Sequence, residues 1–253
     1  MDRRNMIKKT GAALLGASVL GVDALASDSF MSDEKPSGKK KALVIGAHPD
    51  DPESCCGGTM VVLKEAGYEV VSVYMTKGEA GIPDKTHSES AAIRKAEAEN
   101  ACRVLGVRAV FMDQIDGNSL INKDEYAKMK ALINDEKPDI VFTHWPIDSH
   151  RDHRVCSSLV YDAWRFSDYS FELYYFEAMT GLQSQLFHPT DYVDITKAAA
   201  AKREAIFCHT SQKPEDWYDE WHGGMQQFRG YEFFRKGCAE AFVHLRRDTN
   251  DIL

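Results

Sequence analysis

From Lys41 onward, short apolar segments alternate with segments of helical composition, and this alternation limits the folds open to the chain. We predict strands at residues 41–47, 69–76, 109–112, 139–143 and 171–179, then weaker strands at 192–195 and 242–245. We predict helices at residues 57–66, 88–105, 123–134, 150–166 and 197–208, and a loop over 213–232. Because strands that alternate with helices form a mainly parallel sheet covered on both faces, we expect a single α/β domain over residues 41–253.

Composition agrees with one soluble enzyme-sized domain. The chain has 253 residues, of which 43% are hydrophobic and 28% charged, and this supports an ordinary core. The net charge of −8 argues against nucleic-acid binding, since phosphate contacts require a basic face. None of the six cysteines forms a CxxC pair, which argues against a zinc ribbon, and we expect most of them in the core.

The N-terminal segment has the order of features found in an export signal. Arg3 and Arg4 precede a mild apolar stretch at residues 11–22, and Ala24-Leu25-Ala26 supplies a small-x-small cleavage pattern. The paired arginines resemble a twin-arginine signal, and the apolar stretch is shorter than the about 20 residues of a membrane span. We therefore expect a signal peptide at 1–26, a linker at 27–40 and a periplasmic protein; a tail on a cytosolic enzyme is the alternative.

Histidines and carboxylates are concentrated at two places, each at the end of a predicted strand. Residues 47–53 read AHPDDPE, and residues 150–153 read HRDH. Because ligands of open α/β sheets bind outside the carboxyl ends of the strands, we expect the two clusters to meet. Alone, either cluster is equally compatible with a capped turn or a helix start. Together they predict one metal site, since a catalytic zinc takes three protein ligands and leaves a fourth position open.

The spacing within the clusters suggests how the donors are presented. His48 and Asp51 are three residues apart on a turn that Pro49 and Pro52 should keep from becoming helical. The two histidines of the second cluster are three apart at a helix start, so both should project from one face. We expect Ser149 to cap that helix and its electropositive N-terminus to lower the basicity of both histidines.

A hydrolytic metal site also requires a base that activates water and an acid for the leaving amine. Asp50 lies next to a predicted ligand without having to bind the ion, which suits the base. A histidine near the metal suits the acid. Asp152, between two histidines, is placed to fix an imidazole tautomer.

Residues 47–53, followed by Gly57-Gly58-Thr59, resemble the first signature of the PIG-L (LmbE-like) family of zinc-dependent N-acetylglucosaminyl deacetylases. Residues 143–154, THWPIDSHRDHR, resemble the second. The resemblance implies a Rossmann-like fold. The implied metal ligands are His48, Asp51 and His153. The implied catalytic residues are Asp50 as base, His150 as acid or transition-state stabiliser and Asp152 as supporting carboxylate, and Arg94 and Asp116 match positions that contact the sugar.

The resemblance implies a metal-dependent amidohydrolase that removes the acetyl group from an N-acetylated amino sugar. Zinc suits the two-histidine, one-aspartate ligand set, and iron(II) accepts a similar one. A hydrolase of another N-acyl group and a non-catalytic carbohydrate-binding protein on the same fold remain open. A metallophosphoesterase would more often hold two metals. The aromatic residues Trp217, Tyr218, Trp221, Phe228 and Tyr231 could stack on a sugar or pack in the core.

Overall fold

The computed structural model describes residues 38–246 and shows an α/β domain built on one seven-stranded sheet. The strands are β1 Lys41–Gly46, β2 Glu69–Tyr74, β3 Arg108–Phe111, β4 Ile140–His144, β5 Glu172–Phe176, β6 Asp191–Asp194 and β7 Ala239–Leu245. The helices are α1 Asp51–Glu65, α2 His87–Leu105, α3 Lys123–Glu136, α4 Arg151–Phe166, α5 Thr180–Gln183, α6 Ala199–Ile206 and α7 Gly224–Phe233.

The strand order is β3-β2-β1-β4-β5-β7-β6, with the first five strands parallel and β7 antiparallel to both of its neighbours. The predicted fold class is confirmed. Strands β2 and β3 lie on one side of β1, and strands β4 and β5 lie on the other, so the order of the strands reverses between β1 and β4. These two strands pair directly, with Ile45 opposite Thr143. Such a switch point leaves a crevice at the carboxyl ends of the two strands. Both histidine clusters follow these strand ends.

The core explains why the central strands are almost wholly apolar. Leu43 and Ile45 pack on one face with residues of α3 and α4, such as Met129 and Leu159. Ala42 and Val44 point to the other face and are equally buried, because successive side chains of a strand alternate. Helices α1, α2 and α6 contact one another. A strand that is buried on both faces is typical of parallel sheets.

Two predicted elements are wrong. Helix α1 starts at Asp51, not at residue 57, because Pro52 occupies the first helical turn, where its missing N–H costs no hydrogen bond. The segment 213–232 is not a loop. It contains a 3₁₀ turn Pro214–Asp216, a π-helical turn Asp219–Gly223 and nearly all of helix α7, and a further 3₁₀ turn, Thr210–Gln212, directly precedes it.

The predicted signal peptide at residues 1–26 lies outside the described residues, and so does most of the predicted linker at 27–40. Within the described range, no helix combines the length and apolar character that crossing a bilayer requires. Cys55, Cys56, Cys102 and Cys156 are buried free thiols, as predicted for core cysteines, whereas Cys208 and Cys238 are partly exposed.

Candidate metal centre and active site

The turn after β1 presents the first cluster in an unusual backbone conformation. Gly46 ends the strand, and a Cβ atom there would lie 2.7 Å from side-chain atoms of Asp51 and Pro52, so the turn can fold this closely only over glycine. Asp50 has φ 111° and ψ −29°, a region that residues other than glycine rarely adopt. Asp51 Oδ2 accepts the His48 N–H at 2.7 Å and holds the turn closed.

The second cluster is organised around Asp148, a buried residue that the sequence interpretation gave no role. Its Oδ1 accepts the His150 N–H at 2.6 Å, and its Oδ2 lies 2.9 Å from His153 Nδ1. The prediction that Ser149 caps α4 is wrong. His150 is the N-cap, and its Nδ1 accepts the Asp152 N–H at 3.2 Å. An aspartate five residues before a predicted histidine ligand was the available signal for the role of Asp148.

The three predicted metal ligands lie together at the switch point. Asp51 is central: its Oδ2 is 3.3 Å from His48 Nδ1, and its Oδ1 is 3.4 Å from His153 Nε2. The two imidazole rings are 5.3 Å apart between centroids. All three residues are buried. Two imidazoles and one carboxylate are the donor types that zinc binds in catalytic sites.

Carboxylates orient both histidine ligands from behind. His153 faces Asp148 through Nδ1, which leaves Nε2 toward Asp51. His48 Nε2 lies 3.3 Å from Asp152 and 3.1 Å from Asp116, which leaves Nδ1 toward Asp51. Such partners fix the tautomer and orientation of metal-binding histidines. The residues therefore fit a divalent ion, and Asp152 has the imidazole-supporting position expected of it.

Other potential donors surround this set. Among the described residues, three groups have ligand atoms within 4.8 Å of one another: His48, His150 and His153; Asp51, His144 and His153; and His48, Asp116 and Asp152. His144 stacks on His153 with centroids 3.8 Å apart, and its Nε2 lies 3.0 Å from the Ala47 backbone nitrogen and 3.2 Å from Asp51 Oδ2. Because that nitrogen already has two protein neighbours, we interpret His144 as a wall of the site instead of a ligand.

The histidines differ in protonation because their surroundings differ. Burial lowers the pKa of His150, and the neighbouring His153 and His48 lower it further. Burial also opposes charge on His153, but Asp51 and Asp148 outweigh it and raise the pKa to about 9. For His153, these carboxylates outweigh the lowering of basicity expected from the helix N-terminus. For Asp51, burial is outweighed by the charge of His153, which holds the pKa well below its usual range.

Arg94 lies behind Asp50. It is 4% exposed, and its Nη2 donates to Asp50 Oδ2 at 2.9 Å and to the Pro49 carbonyl at 2.5 Å. A Cβ atom on Gly78 would lie 2.6 Å from the Arg94 side chain, so glycine makes room for it. Burial raises the pKa of Asp50, and the guanidinium opposes this rise. The arrangement holds the Asp50 carboxylate in place.

A cavity of about 230 Å³ opens onto these residues. Its described lining consists of Asp50, Asp51, Ser54, Cys55, His153, Ala178, Met179, Gln183, Gln212, Trp217, Trp221 and His222. Neither Arg94 nor Asp116 belongs to this lining. Both residues predicted to contact the sugar touch predicted site residues: Asp116 bonds to His48 and Arg94 to Asp50.

Glu97 attaches the turn Thr210–Gln212, which contributes Gln212 to the cavity lining, to the rest of the site. Glu97 Oε1 accepts the Thr210 hydroxyl at 2.9 Å and the Ser211 N–H at 2.7 Å, which fastens this loop to α2. Glu53 of the first cluster is fully buried, bonds to Tyr74 and lies 3.5 Å from His209 Nε2.

Comparison with known proteins identifies the family of the chain. The profile of the PIG-L family, described as GlcNAc-PI de-N-acetylase, matches residues 43–164, which include both clusters. Diacetylchitobiose deacetylase from Thermococcus kodakarensis is 30% identical over 197 residues, which span 72% of this chain and 73% of that protein. The chain belongs to the PIG-L family. The resemblance predicted from the two signatures is thereby confirmed.

Two further similar proteins show the range of the fold. The structure of N,N'-diacetylchitobiose deacetylase from Pyrococcus horikoshii superposes with a TM-score of 0.75, covering 97% of this chain and 93% of that one at 24% identity. A relative from Pseudomonas putida, 4-oxalmesaconate hydratase, is 26% identical over 194 residues, 69% of this chain and 75% of that protein. The fold is thus shared by proteins named for different reactions.

Proposed function

We propose that this PIG-L protein hydrolyses the N-acetyl amide of an N-acetylated amino sugar and releases acetate. The observation that carries the proposal is the charge of the cavity. Among the described residues that line it, none is lysine or arginine, while two aspartates and two tryptophans are present. A neutral acetamido sugar suits such a wall. A polycarboxylate such as 4-oxalmesaconate would meet Asp50 and Asp51 with no lysine or arginine of the lining to pair its several charges, and a single bound divalent ion would offset only part of them, which disfavours a hydratase of such substrates.

The chemistry follows from the positions of the side chains. A divalent ion held by His48, Asp51 and His153 would polarise the amide carbonyl and acidify a water. Asp50, fixed by Arg94 and facing the cavity, takes the proton of the attacking water. The water oxygen bonds to the acyl carbon, the carbon–nitrogen bond breaks, and the nitrogen gains a proton.

His150 is the residue that we assign to the oxyanion and the leaving amine. Its Nδ1 accepts a backbone N–H, so the neutral ring carries its proton on Nε2 and can donate it. The rings of His48 and His153 lie 4.7 Å and 4.5 Å away, which places His150 beside the predicted ligands. Asp152 holds His48 and does not need to reach the substrate.

The proposal is tested by measuring acetate release from methyl N-acetylglucosaminide by purified protein. We expect turnover with zinc bound, loss of turnover after chelation and recovery when zinc is restored. Iron(II) in a parallel reconstitution shows whether zinc is the more active ion. Acetate release from N-acylated amino acids but not from the sugar would favour the other-amide alternative. A fully metallated protein without any amidase activity would contradict the proposal and favour a binding protein.

We also propose, from residues 1–26 alone, that the protein is exported to the periplasm. This stays a prediction, since those residues lie outside the described part of the chain.

Arg94 provides a prediction that separates two roles. Lysine is one atom shorter and lacks the planar guanidinium, whose Nη2 bonds to Asp50 and Pro49 while its Nη1 lies 4.0 Å from Asp116. If Arg94 positions the base, Arg94→Lys lowers kcat by about tenfold or more and leaves KM nearly unchanged, since a hydrogen bond to a charged group contributes about 1.5–3 kcal/mol. Steady-state kinetics of acetate release measures both constants. Arg108→Lys is the matched control, because Arg108 forms exposed ion pairs on β3.

The alternative result is equally clear. A rise in KM at constant kcat would mean that Arg94 binds the sugar, as its match to the family's signature implies.

A further inference from the structure

One wall of the cavity comes from a C-terminal segment that lies outside the residues matched by the PIG-L profile. Trp217, Trp221 and His222 all line the cavity, whereas the profile covers residues 43–164. Residues 219–223 form a π-helical turn in which the Gly223 N–H donates to the Tyr218 carbonyl at 2.8 Å. Because π-helical hydrogen bonds span five residues, this winding brings positions 217, 221 and 222 to one side.

His222 is a buried polar side chain for which the proposed mechanism has no use. It is 9% exposed and lines the cavity. Its ring packs against Trp217 with centroids 5.3 Å apart. Burial and the nearby Lys202 lower its pKa to about 3, so the ring is neutral. A neutral imidazole offers one donor and one acceptor. Because His222 lines the cavity, these groups can bond to a ligand held there.

The two tryptophans supply an apolar surface beside this imidazole. Their rings are nearly parallel, 24° apart with centroids separated by 6.1 Å. Trp217 is fixed by its Nε1–H, which donates to the Gln212 carbonyl at 2.8 Å. Trp221 keeps 45% of its surface exposed although it is a large aromatic residue. Aromatic walls with a few placed polar groups are typical of small-molecule sites.

We infer that Trp217, Trp221 and His222 form the subsite that recognises the sugar ring. An indole face packs on the C–H face of a pyranose, and the His222 imidazole bonds to one of its hydroxyls. The inference rests on the proposed deacetylation, since both use one cavity. At about 230 Å³ the cavity is smaller than sites for drug-sized ligands, about 300–1,000 Å³. It therefore encloses one pyranose unit and leaves any aglycone in solvent.

The test uses the full-length zinc-loaded protein and two readouts. Acetate release from methyl N-acetylglucosaminide gives kcat and KM, and tryptophan fluorescence during titration with N-acetylglucosamine reports binding directly. We expect His222→Phe, which keeps the ring volume but cannot hydrogen bond, to raise KM and the dissociation constant by about three- to tenfold, the effect of one lost hydrogen bond, with little change in kcat. His222→Gln should restore part of the affinity.

Two further variants keep the test independent of folding. Trp221→Ala changes a half-exposed side chain and should weaken binding by a similar factor, while Trp221→Phe retains most of it. His188→Phe is the matched control, since His188 is an exposed histidine that does not line the cavity.

Each outcome separates the subsite from the reaction. Acetate release with unchanged KM and binding in His222→Phe and Trp221→Ala would overturn the subsite and leave the deacetylase function standing. Sugar binding that weakens in both variants, without acetate release by the wild type, would support the subsite and overturn the reaction. Absence of both sugar binding and acetate release would overturn both.

Discussion

The Asp50→Asn protein is expected to lose about 10²- to 10⁴-fold in kcat for acetate release, the usual contribution of a positioned general base. Asparagine has the same size, its side-chain oxygen can still accept the Arg94 hydrogen bond, and it tolerates a positive φ better than most residues. The metal ligands are untouched. We therefore expect stoichiometric metal by elemental analysis together with the loss of turnover.

Asp84→Asn is the matched control for that substitution. Asp84 is also an aspartate at positive φ, 63°, but it is exposed on a loop, so its replacement should leave kcat unchanged. Equal activity of wild type and Asp50→Asn would show that Asp50 is not the base. Loss of metal along with activity would show that Asp50 is a ligand.

Asp51→Ala is expected to remove the metal itself. This carboxylate lies between the two histidine ligands, within 3.3–3.4 Å of a nitrogen of each, and no other carboxylate bridges them in this way among the described residues. Without it we expect no retained divalent ion after gel filtration and a fall in turnover of about 10³-fold or more, since a catalytic metal supplies several kcal/mol of stabilisation. Metal content and acetate release are measured on the same preparation.

Asp113→Ala tests whether this effect is specific to the site. Asp113 pairs with exposed Lys128 on the surface, so its loss should affect neither metal nor turnover. If Asp51→Ala kept stoichiometric metal, the ion would be held by another donor group, and the set His48, Asp116 and Asp152 would be the next candidate.

The sequence predicts the central sheet well because its strands are buried on both faces and read as uninterrupted apolar runs. Prediction from sequence fails where the same residue type can either interrupt a helix or begin one. Pro52 was interpreted as a barrier to helix, whereas in the first turn proline favours helix. The region near Trp217 shows no clear period, because π-helical and 3₁₀ winding break the 3.6-residue repeat on which helix prediction relies.

For the site, sequence signatures indicate which residues meet but not which way they face. His48, Asp51 and His153 are brought together because both clusters follow strands at the switch point. The contact of Arg94 with Asp50 depends on how α2 packs beside the turn that follows β1, and the local sequence of neither segment reveals this packing. Asp148 is close in sequence to His150 and His153, but only the structure shows that it accepts the His150 N–H and contacts His153 Nδ1.

The conformation of Asp50 has a consequence for how this chain folds. A non-glycine residue held at such a φ opposes folding by about 1–3 kcal/mol, so the turn is a point of local frustration that the surrounding structure overrides. Glycine would adopt the same conformation without steric conflict. The sequence thus sacrifices stability at the turn where the proposed mechanism requires a carboxylate, which agrees with a role for the side chain of Asp50 and not for its backbone.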